Sequence, residues 1–155
     1  NLKVLLVGKR PASSRFDDYD AVINLIKELG LEERVILPGY LTDAEIAELY
    51  EHALAYVFPS TNEGFGIPIL EAFAANCPVI ISNQKALTEI AGKACLRFPM
   101  KGVEALSDQM EKLAFSGQLR EKLVLEGRNR LKMYDRHTYM KKVETYFDEL
   151  LNQAM

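Results

Sequence analysis

The sequence predicts an α/β fold in which a parallel sheet is flanked by helices. Three observations carry that expectation. Short apolar runs recur at LKVLLV (2–7), VIL (35–37), LAYVF (54–58) and VII (79–81), the pattern of strands buried in a parallel sheet. Segments with apolar residues at helical spacing lie between them, and glycine or proline stands at most changes of period. Strands alternating with amphipathic helices build right-handed βαβ units.

Taken in order, Leu2 to Val7 reads as a strand buried on both faces and ending at Gly8. Lys9 to Asp18 combines proline, serine and charge and reads as an exposed loop. Val22, Leu25, Ile26 and Leu29 mark a helix, with Gly30 where a C-terminal stop belongs. Val35 to Leu37 is a strand before Pro38 and Gly39, and Thr42 with Glu45 has the spacing of a capping box. That box opens a helix through His52 whose buried stripe is Ile46, Leu49 and Tyr50. Leu54 to Phe58 is a strand stopped by Pro59, and Pro68 takes the first position of the next helix, where its missing N–H is harmless. Val79 to Ile81 is a strand, Ala86 to Ala91 a short helix, and Ala94 to Phe98 a further apolar stretch. Beyond it the period is helical only, on Val103, Leu106, Met110 and Leu113, then Leu119, Leu123 and Leu131, then Tyr139, Val143, Phe147 and Leu150.

The chain has 155 residues, the size of one ordinary domain. Nineteen Lys and Arg against 22 Asp and Glu leave a net charge of −3, so no basic field draws the protein to nucleic acid or anionic lipid. Cys77 and Cys95 lie in apolar surroundings and read as buried free thiols of a reducing compartment. There is neither a signal peptide nor an apolar run near the ~18 residues of a membrane span, so the expected location is the cytoplasm. The chain begins with Asn1 and reads as a processed protein or a piece of a longer one.

The chemistry centres on the turn 60–67 between a strand and a helix. Ligands of an open parallel sheet sit beyond the carboxyl ends of its strands, where a helix start offers unpaired N–H groups and the positive end of its dipole. Gly64 and Gly66 let a ligand approach the backbone, and Glu63, on the loop, and Glu71, expected in the first helical turn, can accept hydrogen bonds from hydroxyls. The dipole would favour Glu71 with or without a ligand. Gly-Phe-Gly lacks the third glycine of a dinucleotide fingerprint, which argues against an oxidoreductase. Neither His52 nor His137 falls in a catalytic arrangement. The residues by themselves thus leave open an enzyme site and a non-catalytic module binding a sugar phosphate or nucleotide.

The stretch resembles the retaining glycosyltransferase family 4, the group 1 glycosyltransferases. The matching residues are Pro59-Ser60, Glu63-Gly64-Phe65-Gly66-Ile67-Pro68, Glu71-Ala72 and Pro78-Val79-Ile80, with two glutamates separated by seven residues. The similarity extends through Val35 to Gly39, Leu49-Tyr50, Ala53 and Glu89 to Gly92, and covers roughly residues 2 to 130. It implies a GT-B enzyme of two Rossmann-like halves, of which this chain resembles the second, donor-binding half. It further implies that Glu63 contacts the transferred sugar, that the backbone at Gly64, Phe65 and Gly66, with Ile67, meets sugar and diphosphate, and that Glu71 binds the ribose. Tyr40 and Leu41 are further candidates, as walls around the base. The implied partner is a nucleotide-sugar donor; no cofactor and no metal ligand are expected, charge being stabilised by dipoles and cations.

The chain also departs from that pattern. The family's donor domain opens with an extra strand and a basic segment ending Lys-Asn; this chain has no Lys-Asn pair and begins at what resembles the second strand. Lys9 and Arg10 stand elsewhere in the pattern. On this resemblance the N-terminal acceptor half is expected to be missing, and with it any membrane contact of the full-length protein and the partner that the last helix, through Tyr139, Tyr146 and Phe147, would meet. A fragment of this kind is expected to be inactive alone.

Overall fold

A computed structural model describes residues 2–9 and 18–153. They form an α/β arrangement of parallel strands and helices that divides into two compact units, residues 1–46 and 47–155.

The first unit holds β1 (Val4–Val7), α1 (Tyr19–Glu28) and β2 (Val35–Gly39). The strands pair in parallel with Val4 opposite Val35 and Leu5 opposite Ile36. The expected burial of the first strand on both faces is not found: Val4, Leu5, Leu6 and Val7 are all exposed. A doubly buried strand needs a layer on each face, whereas among the described residues this unit holds only α1 and the first residues of α2, and Ile26 on α1 is its one buried residue. The face of α1 is also rotated from expectation. Val22, Ile23 and Ile26 turn inward, while Leu25 and Leu29 are exposed. Its end is as predicted: Gly30 has φ +62°, the Leu31 amide donates to the Ile26 carbonyl at 2.9 Å and the Gly30 amide to the Lys27 carbonyl at 3.1 Å. These two bonds close a Schellman motif. The loop expected at Lys9 to Asp18, including Arg10, lies outside the described residues from 10 to 17.

Helix α2 (Asp43–His52) begins at the predicted capping box. The Thr42 amide and hydroxyl each donate to Glu45 at 2.7 Å, and the Glu45 amide donates to the Thr42 hydroxyl at 3.3 Å. Ile46, Leu49 and Tyr50 are its inward residues, though only half-buried.

The second unit continues with β3 (Tyr56–Phe58), α3 (Ile67–Ala74), β4 (Val79–Ser82), α4 (Lys85–Ala91) and β5 (Cys95–Phe98). Helices α5 (Val103–Phe115) and α6 (Gly117–Leu131), a 3-10 turn at Lys132–Tyr134 that periodicity did not reveal, and α7 (Arg136–Gln153) complete it. The sheet order is β3-β4-β5, all parallel, and every residue of the central β4 is buried. Successive side chains of a strand face opposite ways, and two cores result. Val79 and Ile81 pack with Ile69, Phe73, Leu87 and Ile90 of α3 and α4. Ile80 packs with Phe98, Leu113 and Leu123, on the side of α5 and α6. The sheet of this unit is therefore covered on both faces. In α7 Val143 is half-buried, whereas Tyr146, Phe147 and Leu150 are exposed, and the Tyr139 side chain lies outside what is described. Among the described residues no helix is long and apolar enough to cross a membrane.

A carboxylate loop at the start of α3 is the candidate functional site

Strand β3 delivers the chain to the loop 59–66 at its carboxyl end, and α3 carries it back across the sheet. The helix starts one residue earlier than Pro68 predicts: Gly66 is the N-cap, Ile67 the first position and Pro68 the second. Glu71 is consequently not in the first turn, which holds no acid, but at the fifth position. The reason is the Gly66 backbone, φ +103° and ψ 46°, a conformation that ends the loop there and that only glycine adopts cheaply. A Cβ on Gly66 would lie 2.8 Å from Leu87 Cδ2 and 3.3 Å from Ile69 Cδ1. Gly66 is thus fixed by both conformation and space. Among the described residues, the N–H groups of Gly64, Phe65, Gly66 and Ile67 donate to no protein acceptor, and at a helix start such groups favour an anion or a polar oxygen.

Glu63 is half-buried and held from several directions. The Ser60 hydroxyl donates to Glu63 Oε1 at 2.9 Å. The Gln84 amide Nε2 donates to the Glu63 carbonyl at 3.1 Å, while Gln84 Oε1 caps α4 by accepting from the Leu87 amide at 3.0 Å. Beneath them the hydroxyl of Ser82, a buried polar residue at the end of β4, donates to the Ser60 carbonyl. Glu71 is exposed. Both carboxylates act on the same half-buried aromatic group. Burial first, then the neighbouring Tyr50 and the charges of Glu71 and Glu63, push the Tyr56 hydroxyl well above its ordinary range. Burial and then the Glu71 charge push Tyr50 up to about 12. The rings of Tyr50 and Tyr56 meet edge to face at 5.1 Å and Phe58 stacks on Tyr56 at 5.6 Å, which puts a row of uncharged aromatics under the loop at neutral pH.

Phe65 and Ile67 are exposed at the rim, and Phe65 meets Tyr134 of the 3-10 turn edge to face at 6.0 Å. Arg130 lies over the Tyr134 ring at 5.4 Å and closes the end of α4, its Nε donating to the Ile90 carbonyl at 2.8 Å and a second nitrogen to the Glu89 carbonyl. The fold thus gathers Glu63, Gly64, Phe65, Gly66, Ile67 and Glu71 in the second unit. Tyr40, exposed, and Leu41, half-buried, belong to the first, as does Lys9. Sequence reasoning missed Ser82, Gln84 and Tyr134. Gln84 directly precedes a helix, a position that signals a cap, but glutamine is not among the usual capping types; nothing in the local pattern marks Tyr134. Cys77 and Cys95 are buried and unpaired, as expected, and burial pushes the Cys77 thiol up to about 11.

Three similarities bear on the fold and the family. O-antigen chain mannosyltransferase B of Escherichia coli is 44% identical over 69 residues, 44% of this chain and 18% of that protein. The C-terminal domain of a group 1 family glycosyl transferase from Francisella tularensis is 30% identical, with a TM-score of 0.66 over 75% of this chain and 63% of that one. HepE of Anabaena, solved in complex with UDP, shares the fold at a TM-score of 0.79 and 21% identity, over 96% of this chain and 41% of that one. The matched part spans less than a quarter of the curated mannosyltransferase's length. The family model described as glycosyl transferases group 1 matches residues 1–130, most of the chain, loop and both glutamates included, and the chain belongs to that family.

Proposed function

We propose that the chain is the donor-binding part of a retaining glycosyltransferase that moves a sugar from a nucleotide diphosphate sugar to an acceptor held by a part of the protein outside this chain. The observation that carries the reading is the row of unclaimed N–H groups at 64–67, opened by the conformation of Gly66 and flanked by Glu63 and Glu71. Those amides and the α3 dipole suit a diphosphate, and Glu63 and Glu71 suit the hydroxyls of the sugar and the ribose. The UDP complex of HepE and the mannosyltransferase relative are consistent with such a donor. In this reading the resemblance alone supports Tyr40 and Leu41 as base contacts.

Glu63 then orients the transferred sugar while the donor's own phosphate, held by the backbone, helps deprotonate the acceptor, so the sugar is transferred with retention and without a metal. The test is a titration of the full-length protein with UDP, GDP and ADP sugars. One of them binds, and Glu71→Ala weakens it; binding of none removes the donor site. In turnover, Glu63→Ala loses far more than it loses in free nucleotide affinity, and equal losses would remove Glu63 from the sugar. Chelating divalent cations leaves transfer unchanged, whereas abolished transfer would refute the metal-free step.

A further inference from the structure

We propose that Gln84 is a positioning residue for Glu63, fixing from the neighbouring βα unit the loop backbone that carries the carboxylate. The proposal rests on the reading of Glu63 as the group that meets the transferred sugar. Gln84 stands between β4 and α4 with an extended backbone, φ −62° and ψ 137°. Its amide does two opposite things at once: Oε1 accepts from the Leu87 N–H at 3.0 Å, and Nε2 donates to the Glu63 carbonyl at 3.1 Å. The cap anchors the side chain to a helix whose Leu87, Ile90 and Ala91 are buried in the core. The donor end is thereby aimed at the loop with little freedom left. A serine or threonine, common at such a position, can accept from the helix, but its hydroxyl sits too near the backbone to reach the loop in the same way.

A second tie runs in parallel from the same connection. The buried Ser82 hydroxyl holds the Ser60 carbonyl, and the Ser60 hydroxyl donates to Glu63 Oε1 at 2.9 Å. Glu63 is therefore fixed at its carboxylate through Ser60 and at its carbonyl through Gln84, and both ties lead back to β4 and the start of α4. Without the Gln84 tie the Glu63 backbone is released, and the residue is held only at its carboxylate, through Ser60. A loop positioned this way loses reactive alignment before it loses affinity for the part of the donor bound by backbone amides.

The experiment uses the full-length protein with its nucleotide sugar and compares wild type, Gln84→Ser, Glu63→Ala and the double variant. Gln84→Ser keeps a capping oxygen and removes the tie. Its kcat falls on the order of tenfold, the size of one lost directing hydrogen bond. Its nucleoside diphosphate affinity stays within about twofold and its thermal midpoint close to wild type, while in the Glu63→Ala background the same change adds nothing. A kcat within about twofold of wild type, a parallel loss of affinity, or full additivity with Glu63→Ala would each overturn the role of Gln84 while leaving the donor site standing. Wild-type protein that binds no nucleoside diphosphate would overturn the donor site itself and this role with it.

Discussion

Gly66→Ala tests whether the loop and the core meet at one atom. An L residue at φ +103° gives up roughly 1–2 kcal/mol to backbone sterics alone. The new Cβ would also stand 2.8 Å from Cδ2 of Leu87, a fully buried leucine packed in the core. Overpacking of this kind costs about 1–3 kcal/mol, so the sum is about 2–5 kcal/mol. Urea unfolding followed by circular dichroism measures it. The two contributions separate in a Leu87→Ala background, where the colliding methyl is gone and Gly66→Ala should cost only the backbone part, about 1–2 kcal/mol. Leu87→Ala by itself should cost about 2–5 kcal/mol for the cavity it leaves. A Gly66→Ala variant within about 0.5 kcal/mol of wild type, or one with the same cost in both backgrounds, would refute the double constraint.

Three further outcomes follow from the packing and the buried thiol. Gly127→Ala on α6 gains roughly 1 kcal/mol of helix propensity but sets a Cβ 2.8 Å from the buried Phe73 ring of α3; a net loss of up to about 2 kcal/mol by denaturant melt is expected, and any gain would contradict it. Arg130→Leu strips the Glu89 and Ile90 carbonyls of their charged donor and should cost about 2–3 kcal/mol, an unchanged midpoint being the contrary result. Cys77, raised to about 11 by burial, and Tyr50, raised to about 12, are held in their neutral forms by the fold. Their contribution to stability is complete below the unfolded-state values and is lost as pH rises through those folded-state values, so a thiolate absorbance step in the ordinary thiol range in folded protein would argue against it.

The sheet and the site loop were legible where the local chemistry is self-sufficient. The capping box at Thr42 and Glu45, the glycine stop after α1, and the apolar runs of β3 and β4 act through neighbours in sequence, so composition and spacing reveal them. The family pattern around Glu63 and Glu71 was visible for the same reason. What escaped depends on contacts between distant segments. Pattern alone cannot say that β1 is exposed among the described residues, because LLV looks the same whether or not a covering layer exists. The start of α3 shifted by one residue because Gly66, rather than Pro68, sets it, and glycine's positive φ is a property of the packed loop. Gln84 and Tyr134 stayed hidden because their partners, Glu63 and Phe65, lie in other segments of the chain.

The edge-to-face contact of Phe65 and Tyr134 links the loop's mobility to a part of the chain that supplies none of its residues. Tyr134 is held by Arg130, and Arg130 by the last carbonyls of α4, so the ring that steadies Phe65 stays in place only while the turn at Lys132–Tyr134 is folded. Local opening of that turn frees the rim of the loop and also withdraws Tyr134 from the core of α3 and α4. A proteolytic cut after Leu131 would therefore loosen the Phe65 rim of the loop from the far end of the domain.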